Sequence, residues 1–222
     1  MSDLKTLTKQ IQRLVGTAAD GIYGRNTAYK ILRALEREEV KPEVKKGKVQ
    51  LWFANLFKKK STTPKFNEVV KLTPNKSTSK INPLGVILHH SGGSYNGGVS
   101  WILNKDSNVS YHTLINVDGS RTVFCDDNER AWHAGSSSFK GRKGCNGFML
   151  GVAFTGNTNS RELTTAEVDS AVEYITQRLD KYGWPKDLST ITTHRDVSPG
   201  RKDDVDIRAE KKVLEALAKA IK

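Results

Sequence analysis

The chain has 222 residues, 36% of them hydrophobic, and a formal net charge of +12. That is enough for one well-cored domain and a small extra module. No run approaches the roughly 18 consecutive apolar residues of a membrane helix, and the polar start MSDLKTLTKQIQ lacks the apolar core of a signal peptide.

Residues 1–39 hold seven Lys/Arg and five Asp/Glu and read as a small helical module. Leu4, Leu7, Ile11, Leu14 and Val15 recur at helical spacing, and Ala28, Ile31, Leu32 and Leu35 resume the pattern after a Gly/Asp-rich turn. The loop between them, Asp20-Gly21-Ile22-Tyr23-Gly24 with Thr27, resembles the DGIFGPxT-like loop of the small peptidoglycan-binding modules that end many cell-wall hydrolases. Arg25-Asn26 departs from the Pro-containing form. The resemblance implies a wall-binding module carried by Asp20, Gly21, Tyr23 and Gly24.

Residues 40–80 read as a linker. Eleven Lys and two Glu, three prolines and a Ser/Thr-rich end leave little hydrophobic periodicity. Most of the chain's excess charge lies here, since residues 81–222 hold eighteen Lys/Arg and seventeen Asp/Glu. A nucleic-acid-binding domain would carry its charge on the folded face, so a Lys-rich linker suits an anionic envelope surface instead. Within it, Val49–Phe57 followed by Lys58-Lys59-Lys60 is a short amphipathic stretch, read as a surface-lying segment or as a helix packed on the next domain.

From residue 81 strand and helix signals alternate. Val86-Ile87-Leu88 predicts a buried strand and Val99–Lys105 a short helix. Tyr111–Val117 and Arg121–Phe124 predict a hairpin around Asp118-Gly119. Met149–Thr155 predicts another strand. Thr164–Tyr182 predicts an amphipathic helix capped by Thr164 or Thr165, with Glu167 in its first turn. A last strand at Thr190–Thr193 and a helix at Ile207–Ile221 complete the pattern. The expected fold class is α/β, a central mixed sheet flanked by helices, at residues 81–222.

All five histidines lie in this region. His89 and His90 are adjacent on a strand, as are Tyr111 and His112, so one of each pair is expected to face a shared site. His133 lies in the loop Ala131–Gly135. His194 and Asp204 are ten residues apart around the Ser198-Pro199-Gly200 turn, which folds the segment back. Two imidazoles and a carboxylate suit a catalytic zinc, which takes three protein ligands and keeps one place for water. Cys125 and Cys145 form no CxxC pair and are expected to be free thiols.

The stretches VILHHSGG, VSYHTLINVDG, AWHAGSSSFKGRKGCNGF, LGVAFTGN and THRDVSPGRKDD, in order through residues 81–222, resemble the zinc N-acetylmuramoyl-L-alanine amidases. That family includes phage lysozyme-type amidases, muropeptide-recycling amidases and animal peptidoglycan recognition proteins. The resemblance implies one Zn2+ held by His89, His194 and Asp204, with Asp203 and Asp206 as rivals for the third position. It implies catalytic roles for Tyr111 and Lys202, and a substrate lining that includes Trp132, His133 and Asn146. The recycling branch carries a glutamate base where this chain has Ala153, so Tyr111 is the expected replacement. The expectation is a monomeric, modular phage endolysin that binds peptidoglycan. It would be made in the host cytoplasm and act on the wall after holin-type release. The alternatives are a cytosolic muropeptide-recycling amidase and a non-enzymatic peptidoglycan-binding receptor.

Overall fold

A computed structural model describes residues 65–221, which belong to one compact unit, Thr62–Lys222. The expected helical module at 1–39 and the Val49–Lys60 stretch lie outside the described residues. In chain order the strands are β1 (Glu68–Val70), β2 (Lys76–Lys80), β3 (Val86–His90), β4 (Thr113–Ile115), β5 (Arg121–Val123), β6 (Glu129–Ala131), β7 (Ser138–Phe139), β8 (Arg142–Lys143), β9 (Leu150–Phe154) and β10 (Ile191–Thr193). The helices are α1 (Tyr95–Leu103), α2 (Thr165–Tyr182), α3 (His194–Val197) and α4 (Ile207–Ala220).

Six strands form one mixed sheet in the order β1-β5-β4-β9-β3-β10. Only the β4–β5 hairpin is antiparallel within it; the other four neighbouring pairs run parallel. The central strands VILHH and LGVAF are almost wholly buried, as expected where both faces of a parallel sheet are covered. Alternation then sorts their side chains. Val86, Leu88, Val152 and Phe154 pack under Val168, Ala171 and Ile175 of α2 and Val213 and Leu217 of α4. Ile87 points the other way, against Phe148, Met149 and Val197, and Ala153 packs with Val99 and Ile102 of α1. His89 shares that second face, because it lies two residues beyond Ile87 on the same strand.

Local chemistry fixes the ends of these elements. Thr164 and Glu167 form a reciprocal capping box at the start of α2, and Gly183 closes the helix in the left-handed region with φ of 63°. Gly119, with φ of 83°, makes the hairpin turn between β4 and β5. Helix α1 starts earlier than the expected Val99 because Ser94 caps it by accepting from the Gly97 N–H. Its first turn contains Gly97-Gly98, a weak helix signal, yet a Cβ on Gly98 would lie 2.9 Å from Leu114 Cδ2. The glycine lets the helix sit close on β4.

Residues 65–80, counted with the linker, instead belong to this domain. Strand β1 pairs with β5, and its Glu68 carboxylate lies 2.6 Å from Nε of the fully buried Arg121. Strand β2 pairs with β6, and Lys76 lies 2.6 Å from Glu129. Between these strands the buried Thr73 and Asn75 side chains both donate to the Ile102 carbonyl. The partners of this stretch are some 30 to 50 residues away in sequence, which is why its own composition conceals it. Among the described residues, no helix is long and apolar enough to cross a membrane.

Candidate metal centre and active site

The site lies at the C-terminal ends of β3 and β10, where parallel α/β sheets open to ligands. The register pairs Leu88 with Thr193, so His89 and His194 are neighbours across the two strands. Thr193 caps α3 through its side chain, which turns the chain immediately at His194. The turn at Ser198–Arg201, with Gly200 at φ of 74°, brings the chain back. The Arg195 N–H then donates to the Asp204 carbonyl at 2.5 Å and holds that residue beside the two imidazoles.

His89, His194 and Asp204 are all buried, and their ligand-type atoms lie within 4.8 Å of one another. His194 Nδ1 is 3.0 Å from Asp204 Oδ1, and His89 Nδ1 is 3.3 Å from Oδ2. His89 Nδ1 is nonetheless a buried nitrogen without a hydrogen bond. An orphaned imidazole nitrogen, a second imidazole and a carboxylate converging on one point fit a divalent metal ion, with N, N and O donors suited to zinc. Burial pushes the His89 imidazole down to about 4, against the pull of Asp204, so it is neutral and offers a lone pair at neutral pH. Burial also pushes the Asp204 carboxyl up, but the His194 and His89 imidazoles beside it outweigh this and hold it well below the usual carboxylate range.

The rival carboxylates are used elsewhere. Asp203 accepts from Asn159 at 2.8 Å, and Asp206 caps α4 by accepting from the Arg208 N–H at 2.9 Å. Both cysteines are buried and free, away from the cluster.

Tyr111 faces the site, its ring centroid 5.1 Å from that of His89, and its hydroxyl donates weakly to the His90 carbonyl at 3.4 Å. Burial first, and the Asp204 charge second, push its phenol well above its ordinary value. Ala153 pairs with His89 in register and is fully buried, so no carboxylate occupies that position. His112 turns away from the site, as alternation requires. Its Nε2 donates to the Glu129 carbonyl at 3.0 Å, and its Nδ1 accepts from the Gly151 N–H at 2.9 Å. His90 also turns away from His89, toward Thr158, yet it still lines the open cleft of about 450 Å³ above the cluster. The expected lining residues Trp132, His133 and Asn146, and the exposed Lys202, line that cleft as well.

The expected substrate-lining residues have partners inside the protein. His133 is buried, with Nδ1 2.9 Å from His89 Nε2 and Nε2 3.1 Å from the Met149 carbonyl. Asn146 Oδ1 accepts from the backbone N–H of both His133 and Ala134, at 3.1 and 2.7 Å. Trp132 donates through Nε1 to Ser77 Oγ at 2.9 Å. Arg201, which the sequence reading passes over beside Lys202, reaches the Ala134 carbonyl at 2.5 Å, Ser198 Oγ at 2.7 Å and the Ser136 carbonyl at 2.9 Å. Its place in the run Pro199-Gly200-Arg201-Lys202 was the available signal.

Residues 79–206, more than half the chain, match the family model described as N-acetylmuramoyl-L-alanine amidase. The chain is 40% identical over 97 residues to the 1,6-anhydro-N-acetylmuramyl-L-alanine amidase AmpD of Haemophilus influenzae, covering 43% of this chain and 51% of that protein. It is 35% identical over 96 residues to the AmpD of Escherichia coli, with the same coverage. The chain thus spans about half the length of the curated relatives it matches. Among solved structures, a selenomethionine AmpD derivative superposes with a TM-score of 0.58 at 23% identity, over 68% of this chain and 94% of that one. A mutant endolysin from Bacillus subtilis gives 0.54 at 15% identity, over 68% and 99%. At those identities the likeness shows the shared fold. The expectation of wall lysis after holin-type release is overturned by the relatives, whose names specify a 1,6-anhydro-muramyl substrate. Family model, sheet and site together place this chain in the N-acetylmuramoyl-L-alanine amidase family.

Proposed function

We propose that the chain hydrolyses the amide between N-acetylmuramic acid and L-alanine in soluble 1,6-anhydro-muropeptides, using one zinc ion held by His89, His194 and Asp204. The buried cluster with its orphaned His89 Nδ1 carries the reading, and the names of the AmpD relatives favour the anhydro-muropeptide over the intact wall. An amide resists hydrolysis because its carbonyl is a weak electrophile and its amine a poor leaving group. When bound at this site, zinc supplies Lewis-acid polarisation and a water whose pKa falls to about 7.

The chain's own groups do the rest. The cleft opens above the ligand side chains, which stay buried beneath it. Tyr111, kept protonated by its burial, acts as a hydrogen-bond donor at the reacting centre, not as a resident base. Lys202 on the cleft rim supplies positive charge to an oxyanion as it develops. With Ala153 in place of a carboxylate, Tyr111 is the hydroxyl beside His89 that fills the vacant position.

The test compares two substrates at equal bond concentration. Zinc-loaded protein should release L-alanine-terminated peptide from a soluble 1,6-anhydro-N-acetylmuramyl peptide far faster than from intact sacculi. Preference for sacculi would reject the substrate assignment. Binding of either with no release would reject the catalytic reading and favour a receptor.

A further inference from the structure

Two histidines can present Nδ1 to a metal only if each carries its proton on Nε2. A neutral imidazole has one N–H and one lone pair, and the partner of one nitrogen dictates the role of the other. The structure supplies such a partner to His89 and a backbone contact to the Nε2 of His194, and both come from two consecutive residues.

His133 Nε2 lies 3.1 Å from the Met149 carbonyl, which can only accept, so this nitrogen carries the proton. His133 Nδ1 is then an acceptor, and His89 Nε2 at 2.9 Å must donate to it. That leaves His89 Nδ1 bare, facing Asp204. The neighbouring residue holds the second ligand. The Ala134 carbonyl lies 3.2 Å from His194 Nε2 and the donor-only Arg201 Nη2 lies 3.3 Å from the same nitrogen, so the two together position that edge of the ring while Nδ1 faces Asp204 Oδ1.

The dipeptide is itself held. Asn146 Oδ1 accepts from both of its backbone N–H groups, at 3.1 and 2.7 Å. Arg201 donates to the Ala134 carbonyl at 2.5 Å. The His133 ring packs closely on Gly151, where an added Cβ would sit 2.7 Å from its Cγ. A residue that contacted substrate would not need both ring nitrogens engaged inside the protein, yet His133 is 7% exposed with both engaged.

We propose that His133-Ala134, clamped by Asn146, is a positioning element that sets the tautomer of His89 and the orientation of both His89 and His194, and that His133 acts through His89 instead of touching substrate. This rests on the metal-centre reading above. His133 and Asn146 border the cleft, as expected, and the proposal gives them the further task of supporting the metal ligands.

The experiment measures zinc affinity by competition with a chromophoric chelator, and the visible spectrum of the cobalt-substituted protein. The proteins compared are the wild type, His133→Ala, His133→Asn, Asn146→Ala, Asn146→Asp and a His194→Ala control. An asparagine side-chain oxygen falls near the place of imidazole Nδ1 and keeps an acceptor for His89; alanine does not. His133→Ala should lose about 10- to 100-fold in zinc affinity and change the cobalt spectrum, while His133→Asn retains most of both. Asn146→Asp, which keeps the double acceptor, should likewise exceed Asn146→Ala, and this pair carries the comparison if His133→Ala does not fold. Wild-type zinc affinity in His133→Ala with a raised KM would overturn the proposal and return His133 to substrate contact. Equal losses in His133→Ala and His133→Asn would also overturn it, leaving only packing. If His194→Ala loses zinc and His133→Ala does not, the metal centre stands and the positioning role falls. If the wild type binds no zinc, both fall.

Discussion

Acid should destabilise the metal-free protein through His112, by an amount the structure sets. This imidazole, just before β4, is fully buried, donating to the Glu129 carbonyl and accepting from the Gly151 N–H. Protonation would desolvate a charge and turn Nδ1 into a second donor facing another N–H. Burial accordingly pushes its pKa from 6.5 down to about 4. A folded-state value below the unfolded one means that the unfolded chain takes up the proton first. The contribution is fully present above pH 6.5 and is lost as pH falls toward 4. Each tenfold change in proton affinity is worth about 1.4 kcal/mol, which makes the full loss about 3 kcal/mol, with about 2 kcal/mol gone between pH 7 and pH 5. The assay is urea unfolding of chelator-treated protein at several pH values, for wild type and His112→Gln. The variant loses stability at every pH because the Gly151 N–H loses its acceptor, so the slopes are compared, not the absolute values. His89 and His133 titrate in both proteins, and the difference in slope isolates His112. The variant should lose about 2 kcal/mol less than wild type between pH 7 and pH 5. Identical slopes would refute the claim that His112 is held neutral by its buried partners.

Gly85→Ala should unsettle the sheet beneath the metal site. Its Cβ would lie 2.1 Å from the Thr190 carbonyl, a backbone atom that cannot swing aside, and separating β3 from β10 should cost about 1–3 kcal/mol or more in thermal unfolding and weaken zinc binding with it. Tyr111→Phe keeps the ring against His89 and removes only the hydroxyl, so zinc content should stay at the wild-type level while kcat falls about 100-fold. An unchanged kcat would leave Tyr111 with a packing role.

Much of the fold was legible because its signals are local. The capping box of Thr164 and Glu167, the Asp118-Gly119 turn and the apolar run at Val86–Leu88 each declare an element within a few residues. Strands β1 and β2 were not legible, since Glu68, Asn75 and Lys76 find their partners at Arg121, Ile102 and Glu129. A polar, Lys-rich stretch becomes structure only when those distant groups are already in place. The candidate site divides in the same way. His89, His194 and the turn between His194 and Asp204 were visible in the motifs, but three carboxylates competed for the third position. Hydrogen bonds visible only in the folded chain sort them: Arg195 holds Asp204 inward, Asn159 takes Asp203 from 44 residues away, and α4 takes Asp206 as its cap. The partnership of His89 with His133, across 44 residues, arises from the placement of the loop after β6 beside β9 and has no signature in either segment.

The most direct test is metal-dependent cleavage of the muramyl–alanine amide. Purified protein would be assayed on a 1,6-anhydro-N-acetylmuramyl peptide as prepared, after chelation, after stoichiometric zinc is restored, and as His89→Ala with zinc present. New L-alanine amino termini should appear with the first, vanish on chelation, return with zinc and stay absent in the variant. Turnover that survives chelation, or that His89→Ala retains, would contradict the account.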